Sequence, residues 1–210
     1  LYRTILNVPW AEVTGRITDI WASLWEEPVV EYMVKSGQAE VAPAMAVVLQ
    51  PLLNATAAGV ASSIHPVTGR SRHVTINAVR GLGQPLVDGR MPPDQYVVDV
   101  QLSRIITRIG GGQHERLRLA GDRLAMEPLS PADGASPPVS DSQLLEVAAA
   151  TKRIEQLFQR PVDVEWAVAG EQLWILQARP LTAIRTTVET MNEDCEWSRT
   201  NFKETLPELP

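Results

Sequence analysis

Apolar residues in the first part of the chain recur at the spacing of one helix face. This spacing predicts a helix over residues 10–25, and it rests on Val13, Ile17, Ile20, Trp21 and Leu24. A second, shorter helix is predicted over residues 27–34, ending near Gly37. The apolar run 45–50 predicts a buried strand, which Pro51 ends or places at a sheet edge.

The middle of the chain alternates short apolar runs with turns, which is typical of closely spaced strands. Strands are predicted over residues 57–63, 73–79, 96–101, 104–109 and 116–119. The stretch 127–139 is rich in Pro, Ser, Ala and Gly and predicts a surface loop, after which Ser140 and Gln143 predict a capping box on a helix. Two helices, a mainly antiparallel sheet, one helix and a final hairpin together predict an α+β fold.

Residues 163–180 predict a β-hairpin that carries its polar side chains on one face, because polar and apolar residues alternate in both arms. The polar positions are Asp163, Glu165, Gln177 and Arg179. The apolar positions of the second arm, Trp174 and Leu176, are predicted to face the other side. Four tryptophans lie in apolar patterns and are predicted to fill the core, namely Trp10, Trp21, Trp166 and Trp174.

The predicted pairing of this hairpin brings chemically complementary groups together. A loop of three residues, 170–172, places Glu165 opposite Gln177 and Asp163 opposite Arg179. Two oxygen donors suit Mg²⁺, and a guanidinium suits a phosphate. The same residues also fit a solvated face with a surface ion pair worth at most about 1 kcal/mol. The hairpin alone therefore supports both a metal–nucleotide site and an ordinary surface.

The remaining polar motifs are less specific. The loop Gly81-Leu82-Gly83 could hold a phosphate through backbone N–H groups or could be a simple turn, and it lacks the Lys-Ser or Lys-Thr of a Walker loop. The histidines at 65, 73 and 114 have no zinc-site spacing and no cysteine partners, so a zinc site is not predicted.

Composition narrows the function classes. The net charge is −6 and no basic stretch carries interleaved aromatics, which argues against a nucleic-acid partner. No apolar run approaches the ~20 residues of a membrane span, and a signal peptide is not expected. A single cysteine, Cys195, fits a reducing cytoplasm, where we expect the protein to reside. Both ends resemble cuts in a longer protein, so a fragment is expected.

Several segments, read in order, resemble the ATP-binding domain of the phosphoenolpyruvate synthase and pyruvate phosphate dikinase family, which includes the rifampicin phosphotransferases. They are residues 20–25 (IWASLW), 45–50 (MAVVLQ), 58–60 (AGV), 65–69 (HPVTG), 81–89 (GLGQPLVDG), 93–96 (PDQY), 163–167 (DVEWA) and 176–182 (LQARPLT). Residues 197–202 (WSRTNF) resemble the start of the family's next domain. The resemblance covers most of the chain with its order and spacing kept.

The resemblance implies an ATP-grasp fold, with residues 1–185 as its larger C-terminal lobe and 186–210 as a linker. The family's smaller lobe, which carries a phosphate-binding Lys and Arg, would precede Leu1. Nucleotide would lie between the two lobes. The implied ligand-binding residues are Gln50, Gly81, Gly83, Gln84, Glu165, Gln177 and Arg179. Among them Glu165 and Gln177 would hold Mg²⁺ and the phosphates of ATP, and Arg179 would act catalytically on the transferred phosphate.

The resemblance also implies a reaction. Phosphate would pass from Mg-ATP to a histidine on a separate domain of the same polypeptide, and then to pyruvate or another small acceptor. Departures from the family pattern are Gln84 where Glu is usual, and Ser62, Ser63 and His65 before the turn. They leave a second interpretation open, a degenerate module of the same fold that binds nucleotide or acts as a scaffold without catalysis. The fragment alone is expected to bind ATP weakly and to catalyse nothing.

Overall fold

The computed structural model describes residues 4–35, 37, 44–66 and 68–181. The chain divides into two units, the first made of Leu1–Leu52 with Gly121–Arg123 and the second of Leu53–Ala120 with Leu124–Pro210. Cys195, the predicted linker 186–210 and the segment 197–202 lie outside the described residues.

The first unit is helical. A 3₁₀ turn at Trp10–Glu12 leads into α1 (Val13–Ala22), and a second 3₁₀ turn at Ser23–Trp25 precedes α2 (Glu27–Lys35). Both predicted helices are confirmed. Within this unit the indole of Trp21 donates to the carbonyl of Met45, which ties α1 to the segment that follows α2.

The predicted buried strand at 45–50 is wrong. This segment has no regular structure, Gln50 is exposed, and Val48 is 81% exposed. A strand needs a neighbour to pair its backbone N–H and C=O groups, and neither sheet of the described chain includes these residues. Apolar composition alone therefore did not place the segment in a sheet.

The second unit is built on a six-stranded antiparallel sheet with the order β4-β3-β2-β1-β7-β8. Its strands are β1 (Ala57–Ser62), β2 (His73–Arg80), β3 (Asp94–Asp99), β4 (Arg104–Ile109), β7 (Val162–Ala169) and β8 (Gln172–Pro180). A separate two-stranded sheet pairs β5 (Glu115–Ala120) with β6 (Arg123–Pro128). The α+β class and the five predicted central strands are confirmed, whereas β6 was not predicted.

Three helices accompany these strands, α3 (Gln84–Val87), α4 (Pro131–Ala135) and α5 (Asp141–Phe158). The predicted loop at 127–139 contains the end of β6 and all of α4, so the loop prediction is only partly right. The predicted capping box is confirmed, because Ser140 Oγ accepts from the Gln143 N–H and Gln143 Oε1 accepts from the Ser140 N–H. None of the described helices combines the length and apolar character needed to cross a bilayer.

The core lies between α5 and one face of the large sheet. Leu144 and Val147 of α5 pack there with apolar residues of β1, β2, β3 and β7. Trp166 is fully buried in this core, as predicted, whereas Trp10, Trp21 and Trp174 are exposed by 86%, 49% and 41%, so their placement in the core was wrong. The opposite face of the large sheet is not part of this core.

A glycine in β1 makes room for the buried Trp166 ring. Gly59 lies directly opposite Trp166. A Cβ at this position would lie 2.0 Å from the Asn77 carbonyl oxygen and 2.7 Å from the Trp166 ring. Distances this short are incompatible with any side chain, so the close approach of β1, β2 and the indole depends on glycine.

The β7–β8 hairpin reaches the predicted register by an unpredicted route. Its turn contains two residues, with Gly170 at a φ of 64°, rather than three. A β-bulge then skips Leu176, because Trp166 pairs with Ile175 while Glu165 pairs with Gln177. The bulge restores the predicted pairings beyond it.

The bulge also changes which side chains share a face. Trp174 pairs with Ala167, and Gln177 pairs with Glu165. Ala167 and Glu165 are two residues apart in β7 and therefore point the same way. Trp174 and Gln177 consequently share one face, and the prediction that Trp174 faces away from the polar residues is wrong.

Candidate functional site

Polar side chains gather on the sheet face opposite α5, in two rows that run across neighbouring strands. The pairing of β2, β1, β7 and β8 defines the middle row, which consists of Asn77, Val60, Glu165 and Gln177. The outer row consists of Thr75, Ser62, Asp163 and Arg179. Residues directly opposite each other on paired strands lie on the same side of the sheet. Three of the predicted site residues therefore share one surface.

The middle row contains the predicted metal-binding pair. Glu165 and Gln177 lie directly opposite each other, as predicted. The Glu165 side chain is partly buried and Gln177 is exposed. Burial raises the pKa of the Glu165 carboxyl above its usual value; Arg179 opposes this rise and Asp163 adds to it. A bound cation would compensate for the cost of holding this carboxylate charged.

The outer row holds one carboxylate in place next to the predicted cation. Ser62 Oγ donates a hydrogen bond to Asp163 Oδ1. The Arg179 Nη2 atom lies 3.6 Å from Asp163 Oδ2, too far for a hydrogen bond, and the Arg179 side chain is 66% exposed. The predicted pairing of these two residues is confirmed. The guanidinium therefore retains N–H donors that can reach an anion.

The glycine loop borders this face, but two of its N–H groups are already used. The Gly81 N–H donates to the Thr56 carbonyl, and the Leu82 N–H donates to the Leu117 carbonyl, each at 2.8 Å. A phosphate cradle made from these two groups is therefore excluded. A Cβ on Gly83 would lie 3.3 Å from the Cβ of Ala58. Because Ala58 points to the same side as Val60, the loop covers the end of the polar face.

Residues that depart from the family pattern form hydrogen bonds within the described structure. Gln84, at the start of α3, donates its Nε2–H to Asp88 Oδ1 at 2.9 Å. Ser63 is fully buried and donates to Glu155 Oε1 at 2.8 Å. His65 lies in the β1–β2 turn, where its Nδ1 accepts the Thr68 N–H at 3.3 Å. Burial, His73 and Arg70 together lower the pKa of His65, in that order of importance.

The predicted residues do not all lie in one unit. Gln50 belongs to the first unit, and Gly81, Gly83, Gln84, Glu165, Gln177 and Arg179 belong to the second. The polar face belongs to the second unit. Its role in binding stays a prediction.

The donor set fits a magnesium–nucleotide better than a metal bound by protein alone. Across the part of the chain that the structure describes, no group of three or more His, Cys, Asp or Glu side chains is placed to hold a metal. Glu165 and Gln177 would offer two oxygen atoms to a metal. Mg²⁺ is commonly held by one or two carboxylates while water and substrate phosphates complete its shell. The chemistry of these residues therefore matches a metal that arrives with its phosphates.

Comparison with known proteins decides the family. Residues 1–198 match the family described as pyruvate phosphate dikinase, AMP/ATP-binding domain. The chain belongs to this family. It is therefore an ATP-binding domain of the phosphotransfer type, with a mixed helix-and-sheet fold similar to ATP-grasp proteins.

Curated relatives agree with this assignment. The chain is 33% identical to "Uncharacterized phosphotransferase YvkC" of Bacillus subtilis over 184 residues, which cover 87% of the chain and 22% of that protein. It is 32% identical to "Probable phosphoenolpyruvate synthase" of Archaeoglobus fulgidus over 193 residues, 91% of the chain and 25% of the relative. It is 31% identical to "Rifampicin phosphotransferase" of Streptomyces sviceus over 193 residues, which cover 91% of the chain and 22% of that protein. The chain thus spans about a quarter or less of these relatives.

Two features of the face were not foreseen from the sequence. Ser62 was noted only as a departure, but its hydroxyl holds Asp163. Asn77 and Thr75 lie in an apolar strand and were not singled out, although the structure places both on the polar face. A strict two-residue alternation along β2 would have shown that they face away from the core.

Proposed function

We propose that this chain is the nucleotide-binding part of a dikinase-type phosphotransferase that passes phosphate from Mg-ATP to a histidine on a separate domain. From that histidine the phosphate would reach pyruvate or another small acceptor. We place the protein in the cytoplasm. The observation that carries the proposal is the direct pairing of Glu165 with Gln177 on an open polar face that also bears Arg179.

The roles of these residues follow from charge and position. Glu165 and Gln177 offer one carboxylate and one amide oxygen to Mg²⁺, which when bound neutralises charge on the phosphates. Arg179 is mostly exposed and can direct its N–H groups at the phosphate being transferred. Asp163, held by Ser62, orients that guanidinium by charge. Phosphoryl transfer depends mainly on such positioning and electrostatic stabilisation.

The participation of a carrier histidine rests on family membership. Relatives that share the domain include proteins named as phosphoenolpyruvate synthases and rifampicin phosphotransferases. We propose that the final acceptor differs among them because it is chosen by other parts of the protein. The 210-residue chain by itself would bind Mg-ATP more weakly than micromolar and would transfer no phosphate.

A titration tests the nucleotide site. Binding of Mg-ATP to the 210-residue chain is measured by NMR, which detects millimolar affinities. We expect shifts in backbone resonances of β7 and β8 that Glu165→Ala abolishes and that Glu146→Ala, on the exposed side of α5, leaves intact. Absence of any nucleotide-dependent shift near Glu165 would refute the site.

A non-catalytic nucleotide-binding or scaffolding module is the second candidate. It is favoured by Gln84, whose amide replaces the family's usual carboxylate and is engaged by Asp88. An intact phosphotransferase carrying this domain distinguishes the two. ATP consumption that disappears with Arg179→Ala supports the enzyme, whereas nucleotide binding without turnover for any acceptor supports the module.

A further inference from the structure

Asn77 occupies the middle row on the opposite side of Val60 from Glu165. Val60 pairs with Asn77 on β2 and with Glu165 on β7. Neighbouring strands are about 4.8 Å apart, so Asn77 and Glu165 flank Val60 at about 10 Å from each other across the face. The two side chains therefore border the same stretch of surface.

The Asn77 amide forms no hydrogen bond with any residue that the structure describes. Its Oδ1 atom is enclosed and has no partner. Its Nδ2 atom also has no hydrogen-bond partner, but this atom is accessible to solvent. A buried acceptor without a partner destabilises the fold. The amide therefore has no hydrogen-bonding role in the described fold, and its Nδ2–H is left available to a ligand.

Thr75 offers an internal comparison on the same strand and face. Its Oγ1 atom is also enclosed and has no hydrogen-bond partner among the described residues. Its hydroxyl is the only polar group of the side chain, so Thr75 presents nothing to a ligand. Asn77 differs because its amide has a second polar atom, Nδ2, that is open to approach.

We propose that Asn77 donates its Nδ2–H to an anionic phosphoryl oxygen of the nucleotide bound by Glu165 and Gln177. This inference rests on the proposed function. An amide N–H is a donor that suits a phosphoryl oxygen without adding charge. Arg179 lies on β8 and Asn77 on β2, so the two donors stand on opposite sides of Glu165. Asn77 is then a further binding residue for the phosphate end of the substrate.

Substitutions at Asn77 separate a donor from a metal ligand and from a structural residue. The Mg²⁺ complex of a non-hydrolysable ATP analogue is titrated into the 210-residue chain and its variants. A donor role predicts about ten-fold weaker binding for Asn77→Ala and for Asn77→Ser, as expected for loss of one hydrogen bond to a charged group. It predicts a larger loss for Asn77→Asp, whose carboxylate repels the phosphate. In the wild type, the Asn77 side-chain amide resonance shifts on binding.

The matched control is Thr75→Val, which keeps the shape of the side chain and leaves the affinity unchanged. Thermal unfolding confirms that each variant is folded, and the Ser variant replaces the Ala variant if the latter is not. The inference is overturned if Asn77→Ala binds like the wild type, or if Asn77→Asp binds as tightly as the wild type or more tightly. If Glu165→Ala also leaves binding unchanged, the proposed function itself fails; if only the Asn77 variants do, this inference alone fails.

Discussion

Glu165 of β7 lies directly opposite Gln177 of β8, and both side chains point to the sheet face that α5 leaves open. One row further along, Asp163 faces Arg179 in the same way. The hairpin therefore presents a carboxylate and an amide side by side, with a guanidinium two residues beyond the amide. This arrangement underlies the proposed binding of a magnesium–nucleotide.

Replacing the Glu165 carboxylate should remove most of the affinity for Mg-ATP. Glu165→Ala deletes one of the two proposed metal ligands, and we expect binding at least about ten-fold weaker, in the range for a hydrogen bond or ligand contact with a charged group. An NMR or calorimetric titration measures it, with Glu146→Ala as the matched control. Equal affinity in Glu165→Ala and wild type would contradict the assignment.

The raised pKa of Glu165 makes a signed prediction about stability. Because burial favours the neutral acid, the folded state holds this proton more tightly than the unfolded state does. The stability that the protonated Glu165 gives the folded state is fully present below the ordinary Glu pKa of about 4.3. It is lost as pH rises through the folded-state pKa. Glu165→Gln, which is always neutral, should match the wild type at low pH and become more stable than it as pH rises.

Urea unfolding at a series of pH values checks this expectation, with each variant compared at the same pH. A stability difference between Glu165→Gln and wild type that does not change with pH would contradict it. In the same pH range, binding of Mg²⁺ with nucleotide should release a proton, because a metal ligand must be ionised.

Arg179 should matter more for transfer than for folding. It is 66% exposed, and its ion pair with Asp163, at 3.6 Å, is too long for a hydrogen bond. In an intact phosphotransferase carrying this domain, Arg179→Ala should lower kcat by at least about 100-fold, typical of losing a preorganised donor to a transition-state charge. Arg179→Lys should recover only part, because a lysine lacks the planar fork.

Steady-state kinetics and thermal unfolding measure the two effects in parallel. The control Arg153→Ala removes an exposed arginine from α5 and should change neither. A drop in melting temperature that accounts for the lost turnover in Arg179→Ala would argue against a catalytic role.

Gly59 should tolerate no side chain. Gly59→Ala places a Cβ 2.0 Å from the backbone carbonyl oxygen of Asn77, which cannot move without disrupting the β1–β2 ladder. We expect a loss of about 3 kcal/mol in the free energy of unfolding, at the upper end for overpacked sites. Gly110→Ala has open space around the new Cβ and serves as the control. Similar unfolding midpoints for the two variants would contradict the close packing.

Local patterns in the sequence predicted most of the second unit. The short apolar runs of β1 and β2 and the capping box of α5 depend on neighbours along the chain, which the sequence displays directly. The prediction of a strand at 45–50 was wrong because a strand also depends on a partner strand elsewhere in the chain. The short helix α4 was missed because Pro131 and Gly134 suggest a loop, although Ser130 caps it by accepting the Asp133 N–H.

The candidate site was predictable in part. The opposition of Glu165 and Gln177 was predicted from a three-residue loop, but it arises from a two-residue turn and a bulge at Leu176. The local sequence did not reveal the bulge, so the side of the sheet to which Trp174 points was predicted wrongly. The unpaired amide of Asn77 could not be predicted from the sequence, because whether a side chain finds a hydrogen-bond partner depends on all the strands around it.

Locating the metal is the most direct test of the proposed site. Crystals of the chain with Mn²⁺ in place of Mg²⁺ and a non-hydrolysable ATP analogue allow the ion to be found by anomalous diffraction. Metal binding by Glu165 and Gln177 predicts an anomalous peak within about 2.5 Å of a Glu165 carboxylate oxygen and of Gln177 Oε1, a coordination distance. A peak elsewhere, with nucleotide bound and Glu165 and Gln177 free of metal, would contradict it.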